Sequence, residues 1–249
     1  MNSNPVPGPD GTPPEPTPAS RRSASRFVLE ASRSVLLTLL AFLVLRALVV
    51  EAFKIPTSSM EGTLLAGDFL LVNKAVYGAD IPGLGVSFPP LSEPSLGEVI
   101  VFHPPHDPEK HYVKRLVGLP GDTLEMRAKR LIRNGRALSE PYALHIDPDR
   151  DAVHPGMTWQ RSYLVEAGRP GRYRPSRDNW GPLVVPSDRY FVLGDNRDNS
   201  EDSRYWGFVE RESIKGRPWI VYYSSELIGS VGLPLPREVR WSRIGGRIQ

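Results

Sequence analysis

The sequence predicts a mainly β protein that carries one N-terminal transmembrane helix. A long apolar run lies near the N-terminus, and the chain beyond it breaks into short runs rich in Val, Ile, Tyr and Phe. Gly, Pro and Asp punctuate those runs, as is typical of turns between strands. With 249 residues, the chain is long enough for one large domain or two small ones around an apolar core.

The first residues have the composition of a disordered segment. Residues 1 to about 20 are rich in Pro, Ser, Gly and Thr and contain almost no large apolar side chains. Such a segment buries too little apolar surface to offset the entropy of ordering. We therefore expect a disordered cytoplasmic tail over residues 1–25.

A transmembrane anchor is predicted over residues 26–55. The run SVLLTLLAFLVLRALVV, from Ser34 to Val50, is interrupted only by Arg46. These residues span roughly 25 Å as a helix, and extension through Ile55 brings the length close to the ~30 Å of a hydrocarbon core. Arg46 would then lie toward the outer end, where its long side chain reaches the headgroups.

Charges around the run predict its orientation. Four arginines precede it, whereas Lys54 follows it, so we expect the N-terminus in the cytoplasm and the remaining chain outside the cell (inner) membrane, on the periplasmic side. Two alternatives are a cleaved secretory signal and a buried helix of a soluble protein. The long segment before the run and the lack of a small-x-small cleavage site favour the anchor.

Five segments beyond the anchor are typical of strands: FLLVNKAVYG, EVIVFHPP, HYVKRLVGLPGD, RYFVLGD and WIVYYSS. Residues 124–186 are more polar and rich in turn residues, which indicates an insertion into a more apolar core. Residues 229–249 carry several arginines and Trp241 without a clear period, and we expect a C-terminal tail there.

Composition excludes several classes of function. Lys and Arg exceed Asp and Glu by only three, and no lysine-rich run is present, so a nucleic-acid partner is not expected. The absence of cysteine excludes disulfides, thiolate metal sites and cysteine nucleophiles. The five histidines are scattered without supporting carboxylates and do not predict a metal site.

Three motifs carry the chemistry. They are IPTSSM at Ile55–Met60, YVKRLVGLPGD at Tyr112–Asp122 and GDNRDNSEDSRYWG at Gly194–Gly207. In these segments the sequence resembles the type I signal peptidase family, a family of membrane-bound serine endopeptidases, with its serine, lysine and GDNRDNS-x-DSR boxes. The resemblance runs from about residue 34 to 223 in the same order.

The resemblance implies that Ser59 is the nucleophile and Lys114 the general base of a Ser-Lys dyad. A serine hydroxyl needs a base to take its proton, and no G-x-S-x-G motif indicates a histidine triad. Lysine can act as a base near neutral pH only when desolvation lowers its pKa by roughly two to three units. A strand would place Lys114 on one face with Tyr112 and Leu116, with Arg115 pointing away.

Further roles follow from the resemblance. The Ser59 backbone N–H and the Thr57 hydroxyl are implied as the oxyanion hole, although a turn role is the alternative for Thr57. Ser200 is implied to hydrogen-bond the lysine amine. We expect structural ion pairs among the remaining charged residues of the boxes, with Arg115 a partner of Asp195: Arg115, Asp195, Asp202 and Arg204.

Substrate preference is also implied by the family. Its shallow, apolar pockets accept small residues on the acyl side of the cut, the Ala-x-Ala pattern. The candidate pocket residues are Phe53, Ile55, Met60, Leu64 and Val113, of which Leu64 also fits a core position.

Gly62 departs from the proline that many members carry. Lys54, Lys74 and Lys110 are interpreted as exposed strand lysines.

The implied architecture is a signal-peptidase-type catalytic β core over 52–123 and 187–228 with a smaller β domain inserted over 124–186. The implied partners are signal-peptide-bearing pre-proteins and the lipid bilayer, with no metal or organic cofactor. The sequence does not indicate an oligomeric state. Two other classes were weighed: a self-cleaving Ser-Lys repressor, which requires a DNA-binding domain, and a membrane-tethered, non-catalytic binding β-domain. Retention of the dyad with Thr57 and Ser200 argues against the second.

Overall fold

The computed structural model describes residues 18–81, 86–148, 151–165, 173–227 and 237–248. The chain divides into two units, Met1–Arg46 and Ala47–Gln249. The first unit contains most of helix α1, Pro18–Val49, and the second contains the strands.

Helix α1 differs from the prediction at both ends. It begins at Pro18, so residues 18–25 are helical rather than disordered, while residues 1–17 lie outside the described residues. It ends at Val49 rather than at residue 55 as predicted, because residues 50–54 form a β-strand that pairs with residues 69–73. Within the described residues, no helix is both long and apolar enough to cross a membrane.

The second unit is mainly β, as predicted. The strands of its larger sheet are antiparallel and follow the order β1-β2-β13-β5-β6-β11-β12, with β14 paired to β13. Their bounds are β1 Val50–Lys54, β2 Asp68–Asn73, β5 Val99–Phe102, β6 Tyr112–Gly118, β11 Arg189–Leu193, β12 Val209–Glu210, β13 Ile214–Leu227 and β14 Arg237–Val239.

A second sheet contains four strands in the order β10-β7-β8-β9. It occupies residues 123–184, close to the range 124–186 that the sequence marks as an insertion: β7 Thr123–Arg127, β8 Arg130–Arg133, β9 Arg136–Ala137 and β10 Trp180–Val184. A separate pair is formed by β3, Ala79–Ile81, and β4, Val86–Phe88. Short helices lie at Ala75–Tyr77, Pro155–Tyr163, Arg197–Asn199, Ser203–Trp206, Arg211–Ser213 and Trp241–Arg243.

Strand β2 shows why these segments form strands. Its residues alternate between buried and partly exposed, with Asp68, Leu70 and Val72 completely buried. A period of two places one face of the strand on the core, and each fully buried Leu or Val contributes about 1.5–3 kcal/mol. Leu70 and Val72 pack in a cluster with Ile55 and Met60, which flank the predicted nucleophile.

The two sheets share one hydrophobic core. Val117 of β6 and Phe191 of β11, from the larger sheet, pack with Leu124 and Met126 of β7, from the smaller sheet. Since the third motif directly follows β11, this shared core determines where that motif begins.

The segment at the C-terminus packs on the larger sheet. Strand β14 pairs with β13, and Arg243 forms an ion pair with Asp68, which is completely buried. Arg243 also donates to the backbone carbonyl of Thr63 over 2.9 Å. The prediction of a tail over 229–249 is therefore wrong for residues 237–248, because their arginines compensate a buried carboxylate; residues 228–236 lie outside the described residues.

Candidate active site

Ser59 lies in a tight turn after β1. The Glu61 N–H donates to the Ser58 carbonyl over 3.0 Å, and Met60, the next residue after Ser59, is 1 % exposed. Burial of Met60 holds the turn against the core while the Ser59 side chain stays partly exposed. From the third motif, the Asn196 N–H donates to the Ser59 carbonyl over 3.1 Å and holds the turn from the other side.

Lys114 reaches Ser59 from the adjacent wall. It lies in the middle of β6, where it pairs with Ile100 of β5, and only 4 % of the residue is exposed. Its Nζ donates a hydrogen bond to Ser59 Oγ over 2.5 Å. The two residues are 55 positions apart in the chain, so only the folding of the sheet brings them together.

Burial lowers the pKa of Lys114 to about 8, because the charged amine loses its hydration. The nearby carboxylates of Asp202, Asp195 and Glu201 act in the opposite direction, whereas the Arg204 guanidinium lowers the pKa further. A substantial fraction of this amine is therefore neutral at mildly alkaline pH.

Thr57 lies on the exposed side of the same turn. Its Oγ1 is 3.4 Å from Ser59 Oγ, close enough for either hydroxyl to donate. Both the Thr57 hydroxyl and the Ser59 backbone N–H therefore lie beside the oxygen that would attack a carbonyl.

Ser200 lies beside Gly194, and the hydrogen bond expected between its hydroxyl and the Lys114 amine is not formed. Its Oγ is buried and forms no hydrogen bond within the described residues. Gly194 packs against it so closely that a Cβ at that position would overlap Ser200 Oγ and the Ser59 carbonyl. The backbone of the third motif therefore approaches the serine turn at a position where only glycine fits.

Two buried ion pairs support this region. Arg115 forms hydrogen bonds of 2.8 and 2.7 Å with the two carboxylate oxygens of Asp195, and Arg204 does the same with Asp202 at 2.8 Å each. Burial acts to raise the pKa of Asp202, but the charge and hydrogen bonds of Arg204 outweigh it and hold the pKa below its usual value. Thr63, four residues after Ser59, donates to Asp195 over 2.6 Å.

A cavity of about 550 Å³ lies beside the dyad. Strand β1 and the turn after it form one wall, and residues 110–114 form the other. Of the predicted pocket residues, four line it: Phe53, Ile55, Met60 and Val113. Leu64 does not; it is completely buried in the cluster with Leu70, because the turn after Ser59 directs it into the core.

Several lining residues were missed by the sequence analysis. Asn199 and Glu201 line the cavity on either side of Ser200, and Asn199 Nδ2 donates to Ser58 Oγ over 2.9 Å. Because Asn199, Ser200 and Glu201 are all polar, no local pattern in the sequence separates the two lining residues from buried Ser200. Lys54 and Lys110, interpreted as ordinary strand lysines, also line the cavity.

One supporting contact was also missed. Glu140, from the chain after β9, forms an ion pair with Arg197 of the third motif at 2.6 Å, and the side chains are 7 % and 1 % exposed. Gly62 has a φ of 102°, in the region that favours glycine, so proline could not adopt this conformation. Gly62 thus reflects a defined backbone conformation after the serine.

Known proteins are similar to this chain over most of its length. The family described as signal peptidase, peptidase S26, matches residues 28–223. Signal peptidase I of Pseudomonas aeruginosa is 36 % identical over 225 residues, which cover 85 % of this chain and 78 % of that protein. Signal peptidase I of Pseudomonas fluorescens is 38 % identical, and the match covers 80 % of this chain and 73 % of that protein. Signal peptidase I of Aquifex aeolicus is 34 % identical, and the match covers 77 % of this chain and 82 % of that protein. The chain belongs to the signal peptidase family, peptidase S26.

Proposed function

We propose that this signal peptidase cleaves signal peptides from exported pre-proteins, with Ser59 as nucleophile and Lys114 as general base. The observation that carries the proposal is the 2.5 Å hydrogen bond between Lys114 Nζ and Ser59 Oγ beside a cavity of substrate size. A base must lie within hydrogen-bond reach of the proton that it removes, and this pair meets that condition.

The first half of the reaction transfers an acyl group to the enzyme. Neutral Lys114 takes the Ser59 proton as Oγ attacks the carbonyl carbon, and the carbonyl oxygen becomes an oxyanion. The Ser59 N–H and the Thr57 hydroxyl are the donors proposed for that oxyanion. When the C–N bond breaks, the Lys114 ammonium gives its proton to the leaving amine, which is the new N-terminus of the mature protein.

Water completes the reaction. Lys114, neutral again, takes a proton from a water molecule that attacks the Ser59 ester, and it returns that proton to Ser59 Oγ as the acid product leaves. We propose Ser200 as a positioning residue for the Lys114 amine. Its Oγ forms no hydrogen bond within the described residues and packs against Gly194, so Ser200 would act through packing. Arg115–Asp195 and Arg204–Asp202 are proposed to hold the walls of the site.

The cavity supports an extended substrate on its acyl side. Strand β11 pairs with β6 only at Arg115–Gly118, and β1 pairs with β2. The β1 edge and the β6 residues 112–114 can therefore bind the backbone of an extended peptide lying between them, as in strand addition. Phe53, Ile55, Met60 and Val113 line this space and leave room for small side chains, in agreement with an Ala-x-Ala preference.

We propose that helix α1 contributes the membrane anchor. Apolar side chains along it are half or more exposed, among them Val35, Leu36, Leu39, Leu40 and Phe42. Such a surface needs an apolar partner, and a bilayer provides one. With arginines before the apolar run, the N-terminus would face the cytoplasm and the catalytic unit the periplasm.

Detergent-solubilised protein incubated with a pre-protein, followed by sequencing of the new N-terminus, tests the activity. Cleavage directly after an Ala-x-Ala segment is expected, and an intact pre-protein would overturn the proposal. Protease protection in sealed vesicles tests the topology, with residues 60–249 expected on the side opposite the cytoplasm. A result that places residues 60–249 on the cytoplasmic side would overturn the proposed orientation.

A further inference from the structure

Glu201 places a carboxylate in the cavity beside the dyad. It lies in the third motif between Ser200 and Asp202, both of which are buried, yet Glu201 itself is exposed. Within the described part of the chain, its carboxylate is in no ion pair and accepts no hydrogen bond, whereas Asp202 is paired with Arg204. Glu201 is therefore free to interact with whatever enters the cavity.

The charges lining the cavity are unevenly distributed. Among its described lining residues, Glu201 is the only acidic one, and its charge opposes the lowering of the Lys114 pKa by burial. Lys110 lies at the end of the cavity where β6 begins, and Lys54 lines the cavity next to Phe53. The His111 ring, whose pKa is lowered by burial, packs 4.9 Å from Phe53. The cavity is therefore cationic at one end and carries its negative charge beside the dyad.

The direction of the substrate follows from the two walls. Strands β1 and β6 run in the same direction, because three strands of alternating direction, β2, β13 and β5, separate them in the sheet. The walls lead from Phe53 and His111 to Ser59 and Lys114, where Asn199 of the third motif donates to Ser58. With the acyl side of the substrate at the Phe53 end, as in the proposed function, the residues after the cut leave past the third motif.

We propose that Glu201 determines specificity on the leaving side, by disfavouring acidic side chains in the first two residues of the mature protein and favouring basic ones. The inference rests on the proposed function. The leaving amine emerges beside this carboxylate, so its positive charge is stabilised there, while a carboxylate next to it is repelled. Both effects are Coulombic and act in a partly solvated cavity, so each is modest in size.

The expected discrimination is about three- to fivefold in kcat/KM, the range that an exposed charge pair produces. Since salt screens exposed charges, the discrimination should shrink as ionic strength rises toward 1 M. A purely steric preference at this position would not depend on salt.

The experiment uses the full-length protein in detergent and three peptides that differ only at the second mature residue, which is Glu, Gln or Lys. The measured quantity is the ratio of kcat/KM between peptides, compared for wild type, Glu201→Gln and Glu109→Gln. Glu109 is exposed and does not line the cavity, so it controls for the loss of one negative charge elsewhere. A second peptide set carries the same changes two residues before the cut.

Wild type and Glu109→Gln should prefer Lys over Gln and Gln over Glu, and both ratios should approach one in Glu201→Gln. Unchanged ratios in Glu201→Gln would overturn the inference, as would a Glu201-dependent effect confined to the peptides changed two residues before the cut. If wild type cleaves none of the peptides, including the neutral one, the proposed function itself is overturned and the inference with it.

Discussion

The Lys114 amine contacts the neutral hydroxyl of Ser59, whereas the guanidinium of the next residue, Arg115, is paired with the carboxylate of Asp195. Both residues are at least 96 % buried, with exposures of 4 % and 2 %. Burial therefore acts on the two neighbouring cations differently. Arg115 retains its charge against a carboxylate, while Lys114 has no comparably close counter-charge among its described hydrogen-bond partners, and its pKa falls to about 8.

Replacement of Ser59 by alanine should abolish cleavage, with a loss of at least about 10⁴-fold in kcat. The side chain is partly exposed, so the thermal midpoint of unfolding should change little. Activity on a pre-protein and the unfolding midpoint are measured together, with Ser95→Ala as a control outside the cavity. Cleavage by a well-folded Ser59→Ala protein would exclude Ser59 as the nucleophile.

The activity should depend on one ionisation of Lys114. Since the neutral amine is the active form, kcat/KM should rise with pH through about 8 and reach a plateau above it. The charged groups acting on this amine are Asp202, Arg204, Asp195 and Glu201, of which Glu201 is exposed. A pH profile that is flat between pH 6 and 10, on the order of two units either side of this pKa, would mean that another group is the base.

Arginine should not replace Lys114. A guanidinium stays protonated at any working pH and cannot accept the Ser59 proton, so Lys114→Arg should be as inactive as Lys114→Ala. Lys74→Arg provides the matched control, because Lys74 lies outside the cavity and forms an ion pair with Glu51. Measurable turnover by Lys114→Arg at any pH would contradict the dyad.

The Thr57 hydroxyl should contribute to the rate rather than to binding. Removing one donor from an oxyanion hole costs about 10²- to 10³-fold in kcat with little change in KM. Steady-state kinetics of Thr57→Ala and Thr57→Ser separate the hydroxyl from the rest of the side chain, since serine restores the donor. If Thr57→Ala turns over at the wild-type rate, the residue has only a turn role.

Lys114 should lower the stability of the fold at neutral pH. Its pKa is near 8 in the folded protein and about 10.5 when unfolded, so the unfolded state binds the proton more tightly. Stability should therefore rise with pH between these values, by about 3 kcal/mol in total. Chemical denaturation of Lys114→Met at pH 7 should show a gain in the free energy of unfolding that shrinks above pH 10, roughly where the unfolded lysine loses its charge. A loss of stability would contradict the cost of burying this charge.

Arg243 should stabilise the loop that follows the nucleophile. Its guanidinium bonds both Asp68 oxygens and the Thr63 carbonyl, while Thr63 donates to Asp195. Arg243→Ala leaves a buried carboxylate with fewer partners and should cost about 2 kcal/mol, whereas exposed Arg247→Ala should cost little. Chemical denaturation measures both, and equal effects would mean that the contact with Asp68 is not specific.

The proposed dyad could be identified from the sequence because its residues stand in short motifs with a defined order. Ser59 follows a strand end in IPTSSM and Lys114 lies inside YVKR, so local pattern was enough to select them. Leu64 shows the limit of this reasoning. A motif position does not reveal which way a side chain points after a turn, and here it points into the core.

The sequence by itself determined the β-rich class, the motif residues and the candidate for the base, since alternation and motif order are local properties of the chain. Tertiary structure alone decided which residues complete the site. Ser59 meets Lys114 across 55 positions, Asp68 meets Arg243 across 175, and Glu201 turns toward the cavity while its neighbours are buried. These relationships depend on strand pairing and shared packing between distant segments, and no local pattern in the chain encodes them.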